Sequence, residues 1–227
     1  MVHRLRLGYA ARMAFSGWPA EAVAFYQGLA ADNSKAYWTA HKLVYDASVH
    51  APMAELLAEL EGEFGPGRIA RPYRDVRFRA DKSPYKTAIY ATLQAGGYVN
   101  FSAEGLTAAV GYYAMAPDQL VRYRRAVAED APGAVLAGIV DRLAAGKLEV
   151  GGPSLATAPK GYPRDHPRID LLRYKSLIAW RHWPMGAWLA TAAAKGRVVE
   201  VLRTAAPLQT WLDEQVGPST EPPRRRR

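Results

Sequence analysis

The sequence predicts an α+β domain in which a mainly antiparallel sheet is packed with N-terminal, middle and C-terminal helices. Three observations carry that reading. Apolar residues recur at helical spacing from Pro19 to Phe64 and again after Ala116. Between about residues 68 and 116 the pattern changes to alternation, with β-branched and aromatic residues. The turns between these extended runs are only a few residues long, which favours an antiparallel meander over a parallel sheet. A further strand is expected near 176–183.

The first helix follows Pro19 and runs to Ala31, with Ala22, Phe25, Tyr26 and Leu29 on one face. Asp32-Asn33-Ser34 reads as a turn and cap. From Lys35 a stripe through Trp38, His41, Tyr45, Val49, Met53, Leu56, Leu60 and Phe64 predicts one long helix, bent at Pro52. Gly65-Pro66-Gly67 ends it. Val76, Phe78 and Ala80 alternate with Arg77 and Arg79, which predicts a strand with one charged side. Lys86 to Gln94 has strand composition, Gly96-Gly97 a turn, and the runs 98–102 and 106–115 a hairpin.

Pro117 and Pro132 open two further helices, the second ending at Gly146. Leu148 and Val150 suggest a short strand, 161–167 a polar loop and 169–174 a helical turn or two. Leu177 to Trp183 is the late strand, and Pro184 starts a helical region with breaks expected at Gly196 and Pro207. One domain over residues 13–217 is the economical organisation. Residues 1–12 read as a basic extension of the kind an over-extended start gives. Residues 218–227 read as a disordered Pro/Arg tail with nothing apolar to bury.

Composition narrows the function. The chain has 227 residues and no cysteine, which excludes disulfide scaffolds, zinc–thiolate sites, iron–sulfur clusters and cysteine nucleophiles together. The longest run free of charge, Gln and Asn, about Leu106 to Pro117, is well short of the ~20 apolar residues of a membrane span. No secretory signal is visible, so a cytoplasmic location is expected, without a membrane partner. The net charge is +9. The two ends carry most of it, leaving about +3 for the body, so a nucleic-acid partner is conceivable but not favoured.

The dense polar segment is 71–90. Arg74, Asp75, Arg77, Arg79, Asp81, Lys82 and Lys86 crowd into it. Arginine forks suit planar oxyanions, carboxylate or phosphate, in two-point contact. Asp75 can orient Arg74 or Arg77. Asp81 can accept from backbone N–H groups in a turn that Pro84 helps to set. A solvated charged face explains the same residues, as does a salt-bridge network pinning the turn. Asp75 and Asp81 alone make a poor metal site, so no metal is expected.

A second polar cluster spans 160–175, with Tyr162, Asp165, His166, Asp170 and Lys175. His166 is a candidate general acid or base. If this loop folds over the 74–86 face, a pocket results; otherwise His166 caps the short helix after it. Candidate catalytic residues are therefore His166 and Asp81. Candidate ligand-binding residues are Arg74, Asp75, Arg77, Lys82, Tyr85, Lys86, Tyr162 and Lys175. No motif implies a cofactor. Tyr90, Tyr98, Phe101, Tyr112 and Tyr113 could stack nucleobases on a sheet, although a packed core explains them as well.

The run Arg74-Asp75-Val-Arg77-Phe78-Arg-Ala-Asp81-Lys82-Ser83-Pro84-Tyr85-Lys86-Thr87 resembles the signature of a conserved hypothetical family known as domain of unknown function 2461. Phe25 to Leu29, Asn33, Trp38, Lys42, Tyr45 and Pro52 resemble its opening helices. Pro159 to Tyr162, His166-Pro167 and Leu171 to Lys175 resemble its later loop. The likeness covers about residues 14–216. It implies one α+β domain and transfers no activity and no catalytic residue. The residues lead to the expectation of a pocket, enzyme-like or sensing, for a small anionic ligand. The alternative is a non-catalytic module that binds nucleic acid or protein through the basic surface and arginine tail.

Overall fold

The computed structural model describes residues 14–78 and 80–221. Its elements are α1 (Ala20–Ala31), α2 (Lys35–Val44), α3 (Ala51–Phe64), β1 (Gly67–Ile69), β2 (Ala88–Leu93), β3 (Gly97–Ser102), β4 (Gly105–Tyr112), α4 (Pro117–Ala128), α5 (Asp130–Ala145), β5 (Glu149–Gly151), α6 (Ile169–Arg173), β6 (Leu177–Pro184) and α7 (Ala193–Gln215). The strands form one sheet in the order β1-β2-β3-β4-β6-β5, antiparallel throughout. The α+β reading and the late strand are thus correct. Among the described residues no helix is long and apolar enough to cross a membrane.

Register sorts the sheet into two unlike faces. Ile89, Phe101, Leu106 and Trp183 face one another across four strands, all buried, as do Ala91, Val99 and Ala108 beside them. This inner face meets the helices. A methyl added to Gly67 would strike Leu57 of α3, and one added to Gly97 would strike Leu202 of α7. The opposite row runs Arg68, Thr92, Tyr98, Ala109, Trp180 and Glu149, one residue from each strand. None of these six joins the contiguous core cluster, although Ala109 is buried among its neighbours.

The long N-terminal helix is continuous but not uniform. Ser34 caps it, its Oγ accepting from the Tyr37 N–H at 3.1 Å. Tyr45–His50 winds as a π-helix before α3, and the Ala51 N–H reaches the Asp46 carbonyl, five residues back. Pro52 supplies the cause: it has no N–H for the carbonyl of Ser48, so the turn before it widens. Gly65, at φ +72°, ends α3.

Three expectations need correction. Residues 76–78 and 80 do not form a strand. After β1 the chain extends into an irregular hairpin, held by Lys86 N–H to Pro72 O and Arg74 N–H to Pro84 O, both 2.8 Å. Two prolines interrupt the ladder there, and Arg77 folds back on Asp75, so Phe78 stands 82% exposed rather than on an apolar side. Gly196 and Pro207 do not break α7, which runs through both. Val198, Val201, Leu202, Ala205, Leu208 and Leu212 are buried at helical spacing, and that packing outweighs local propensity. Residues 218–221 lie against α4: the Asp118 carboxylate accepts from Ser219 Oγ at 2.7 Å and from the Thr220 N–H at 2.8 Å. The expectations for 1–12 and for Arg224–Arg227 fall outside the described residues.

Candidate functional site

The hairpin of residues 70–87 is anchored at its base by apolar stacking and one side-chain amide. Tyr85 is buried and lies flat on Trp38 of α2, with centroids 4.4 Å apart. Asn33 brackets the same residue, accepting from the Tyr85 N–H at 3.0 Å and donating to its carbonyl at 3.1 Å. Tyr85, expected as a ligand residue, is therefore an anchor that fixes where Lys86 begins.

Between this base and the β1–β2 edge lies an open cleft of about 880 Å3. Arg68, Arg71, Arg74 and Lys86 line it, with Asp75, Asp81, Tyr90 and Thr92. Arg74 Nη1 meets Asp81 Oδ2 at 2.5 Å. Asp81 Oδ1 also accepts from the Ser83 N–H at 2.9 Å, the turn expected from the sequence. Ser83 first, and Arg74 beside it, hold the Asp81 carboxyl below the usual carboxylate range. Asp75 takes the Arg77 fork in two bonds, at 2.9 and 2.7 Å, and those bonds hold its carboxyl far below that range.

Arg77 itself points away, 75% exposed, and does not line the cleft; neither does Lys82, whose Nζ donates to the Val76 carbonyl. Both carboxylates are thus occupied. Arg68, Arg71 and Lys86 form no ion pair with any described residue. Lys86 Nζ is aimed by the Arg71 carbonyl at 2.6 Å and the Tyr90 hydroxyl at 3.1 Å, and it sits 4.5 Å from the Tyr90 ring centre. The result is a concave site with net positive charge at solvent.

The second polar cluster does not join it. β5 and the 152–175 loop stand at the far edge of the sheet, with four strands between β5 and β1. His166 Nδ1 accepts from the Arg168 N–H at 3.0 Å, a cap for the turn that becomes α6. Tyr162 packs against the core and Lys175 is exposed at that distant edge. Neither they nor His166 lines the cleft.

Arg68, Arg71 and Thr92 are cleft residues that sequence reasoning passed over, while Tyr90, expected only as a stacking residue of the sheet, lines the cleft as well. The signal for Arg68 was weak, because only the register that sets it opposite Thr92 turns it toward the cleft. A smaller cavity of about 300 Å3 lies on the other side of the Ala70–Tyr73 strip, against the π-helix. There Lys42 pairs with Asp46, and burial, then the nearby Asp46 and Tyr73, push the Tyr45 phenol up to about 12.

No curated protein and no solved structure matches this chain. The model of one family, described as conserved hypothetical protein (DUF2461), matches residues 21–211, which include the whole cleft, and the chain belongs to that family.

Proposed function

We propose that the cleft binds a small anionic ligand, bearing phosphate or carboxylate, in a cytoplasmic protein. One observation carries the reading. Of the four cations lining the cleft, only Arg74 has a carboxylate partner, while Arg68, Arg71 and Lys86 face solvent without one. Three uncompensated cations around one concavity raise the local anion concentration, and their donors suit a tetrahedral or planar oxyanion. The anchoring of Tyr85 on Trp38 and Asn33 fixes the Lys86 end of the hairpin in advance, which lowers the ordering cost of binding. Among the described residues no histidine lines the cleft, and its two carboxylates are engaged by arginines, so the arrangement favours binding or sensing over proton transfer.

Calorimetric titration with inorganic phosphate and with citrate tests the reading. Arg71→Ala should weaken binding by about tenfold, the worth of one charge-assisted hydrogen bond, and leave the melting temperature within a degree or two. If neither anion binds the intact chain, or Arg71→Ala binds them as well as the parent does, the cleft is no anion site.

A further inference from the structure

The cleft opens onto a second concavity of opposite character. On the outer face of the sheet Tyr98, Ala109, Ile178 and Trp180 floor an apolar groove of about 350 Å3, with Tyr113 on its wall. Thr92 lines both the groove and the cationic cleft, so the two meet at one residue. The aromatic rings are in series. Tyr90 lies 5.7 Å from Tyr98, and Tyr98 lies 6.5 Å from Tyr113 with its plane only 20° away. Of the five aromatics read earlier as a stacking run, Phe101 is core and Tyr112 bonds Asp213 of α7, while Tyr90, Tyr98 and Tyr113 line the cleft or the groove. Register adds Trp180 to the set, in the same row as Tyr98.

We propose that cleft and groove together form one site for a nucleoside monophosphate, a deepening that rests on the anion reading above. The phosphate sits among Arg68, Arg71 and Lys86, and the base stacks in the groove against Tyr98, Tyr113 and Trp180. Charge complementarity fixes the orientation, since the cations stand at one end only. Size fixes the class. A groove of 350 Å3 holds one base with part of its ribose, and the rings offer π-faces that any base can use. A nucleic-acid strand would need cations repeated along its path, and the groove end has none among its lining residues.

The test compares four probes on the full chain by calorimetry: inorganic phosphate, adenosine, AMP and a twelve-nucleotide oligo(dA). AMP should bind at least about fivefold tighter than phosphate, the worth of one stacked base. Tyr113 is 78% exposed, so Tyr113→Ala should fold normally by circular dichroism. It should remove most of the AMP advantage and leave phosphate binding unchanged. Ala109→Phe, which fills the groove floor, should do the same. If phosphate binds and AMP binds no tighter, or the groove variants keep the advantage, the nucleotide site is overturned and the anion site stands. If phosphate, AMP and oligo(dA) all fail to bind, both readings fall. Oligo(dA) binding more tightly than AMP in equivalent nucleotide units would make the occupant a strand and overturn the mononucleotide.

Discussion

The two arginine-rich segments look alike in sequence and behave as opposites in the fold. In the 152–175 loop Lys160, Arg164 and Lys175 are exposed, but Arg168 and Arg173 turn inward. Arg168 donates to the carbonyls of Val127, Ala128 and Glu129 at 2.7, 3.0 and 3.2 Å, satisfying the end of α4, and its side chain is only 15% exposed. Arg173 donates to the carbonyls of Leu155 and Ala156. These bonds close the loop onto the body as a clasp. In the 68–86 segment Arg68, Arg71 and Lys86 meet no carboxylate and stand around an open cleft. Charge density therefore says little about function. What separates a clasp from a site is where the cation stands: Lys86 also bonds a backbone carbonyl, that of Arg71, but it does so on the wall of an open cleft, whereas Arg168 and Arg173 close their loop onto the body.

The sharpest way to break that comparison is Arg168→Ala. Three carbonyls at a helix end lose a charged donor in a largely buried position, and the expected loss is about 2–4 kcal/mol of unfolding free energy. Phosphate affinity should be unchanged, because the cleft lies at the other sheet edge. Urea unfolding and phosphate calorimetry on the same variant read both halves. A variant that melts normally and loses phosphate would reverse the assignment of the two segments.

Asn33→Ala comes next, since it touches stability and binding together. Asn33 makes two bonds to the backbone of Tyr85, and losing them should cost about 1–3 kcal/mol. The hairpin base then loosens beside Lys86, so phosphate should also weaken several-fold. Stability lost with phosphate affinity retained would show that the cleft does not depend on this anchor.

The fold was legible where local and tertiary preferences agree. The strands from Ala88 to Tyr112 follow from composition and short turns, and their boundaries fall within a few residues of expectation. Where they disagree, tertiary packing wins. Pro207 reads as a stop, yet α7 passes it because Ala205, Leu208 and Trp211 are buried around it. Phe78 reads as an inward strand residue, yet it is exposed because the chain there has no neighbouring strand to pair with. The acidic turn at Asp81 and the Asp75–Arg77 pair were readable, being local. Arg68 and Tyr90 were not, because their shared cleft depends on register and on a hairpin fold-back that no window of sequence displays.

A smaller effect concerns pH. Sulfate keeps its charge between pH 5 and 8, so it reports on the protein alone. Among the described residues the cleft lining contains no histidine, and Asp75 and Asp81 are held below the usual carboxylate range. Sulfate affinity should therefore be flat across that interval. The sign of any change lies lower. Both carboxyls have folded values below their unfolded ones, so their ion pairs persist above the ordinary carboxylate range and are lost only as pH falls through the depressed values. Of the two arginines only Arg74 lines the cleft, so protonation of Asp81 is the event that would free a further cation there. A sulfate affinity that already changes between pH 6 and 8 would place a titrating group in the cleft.

The smallest expected effect is the most discriminating. Arg77 sits at the centre of the charged segment, and on sequence grounds it is the first residue to choose as an anion ligand. In the fold its guanidinium is locked to Asp75 in two bonds and turned to solvent outside the cleft. Arg77→Ala removes an exposed ion pair, and such pairs contribute little to stability. Asp75, which does line the cleft, then carries an unpaired negative charge there. The net result for phosphate should be a change of less than about threefold, in the weaker direction, because the variant adds repulsion without removing a contact. The double variant Asp75→Asn with Arg77→Ala should restore parental affinity. A tenfold loss that persists in the double variant would mean that Arg77 touches the anion directly, and the hairpin would have to close over the cleft when it binds.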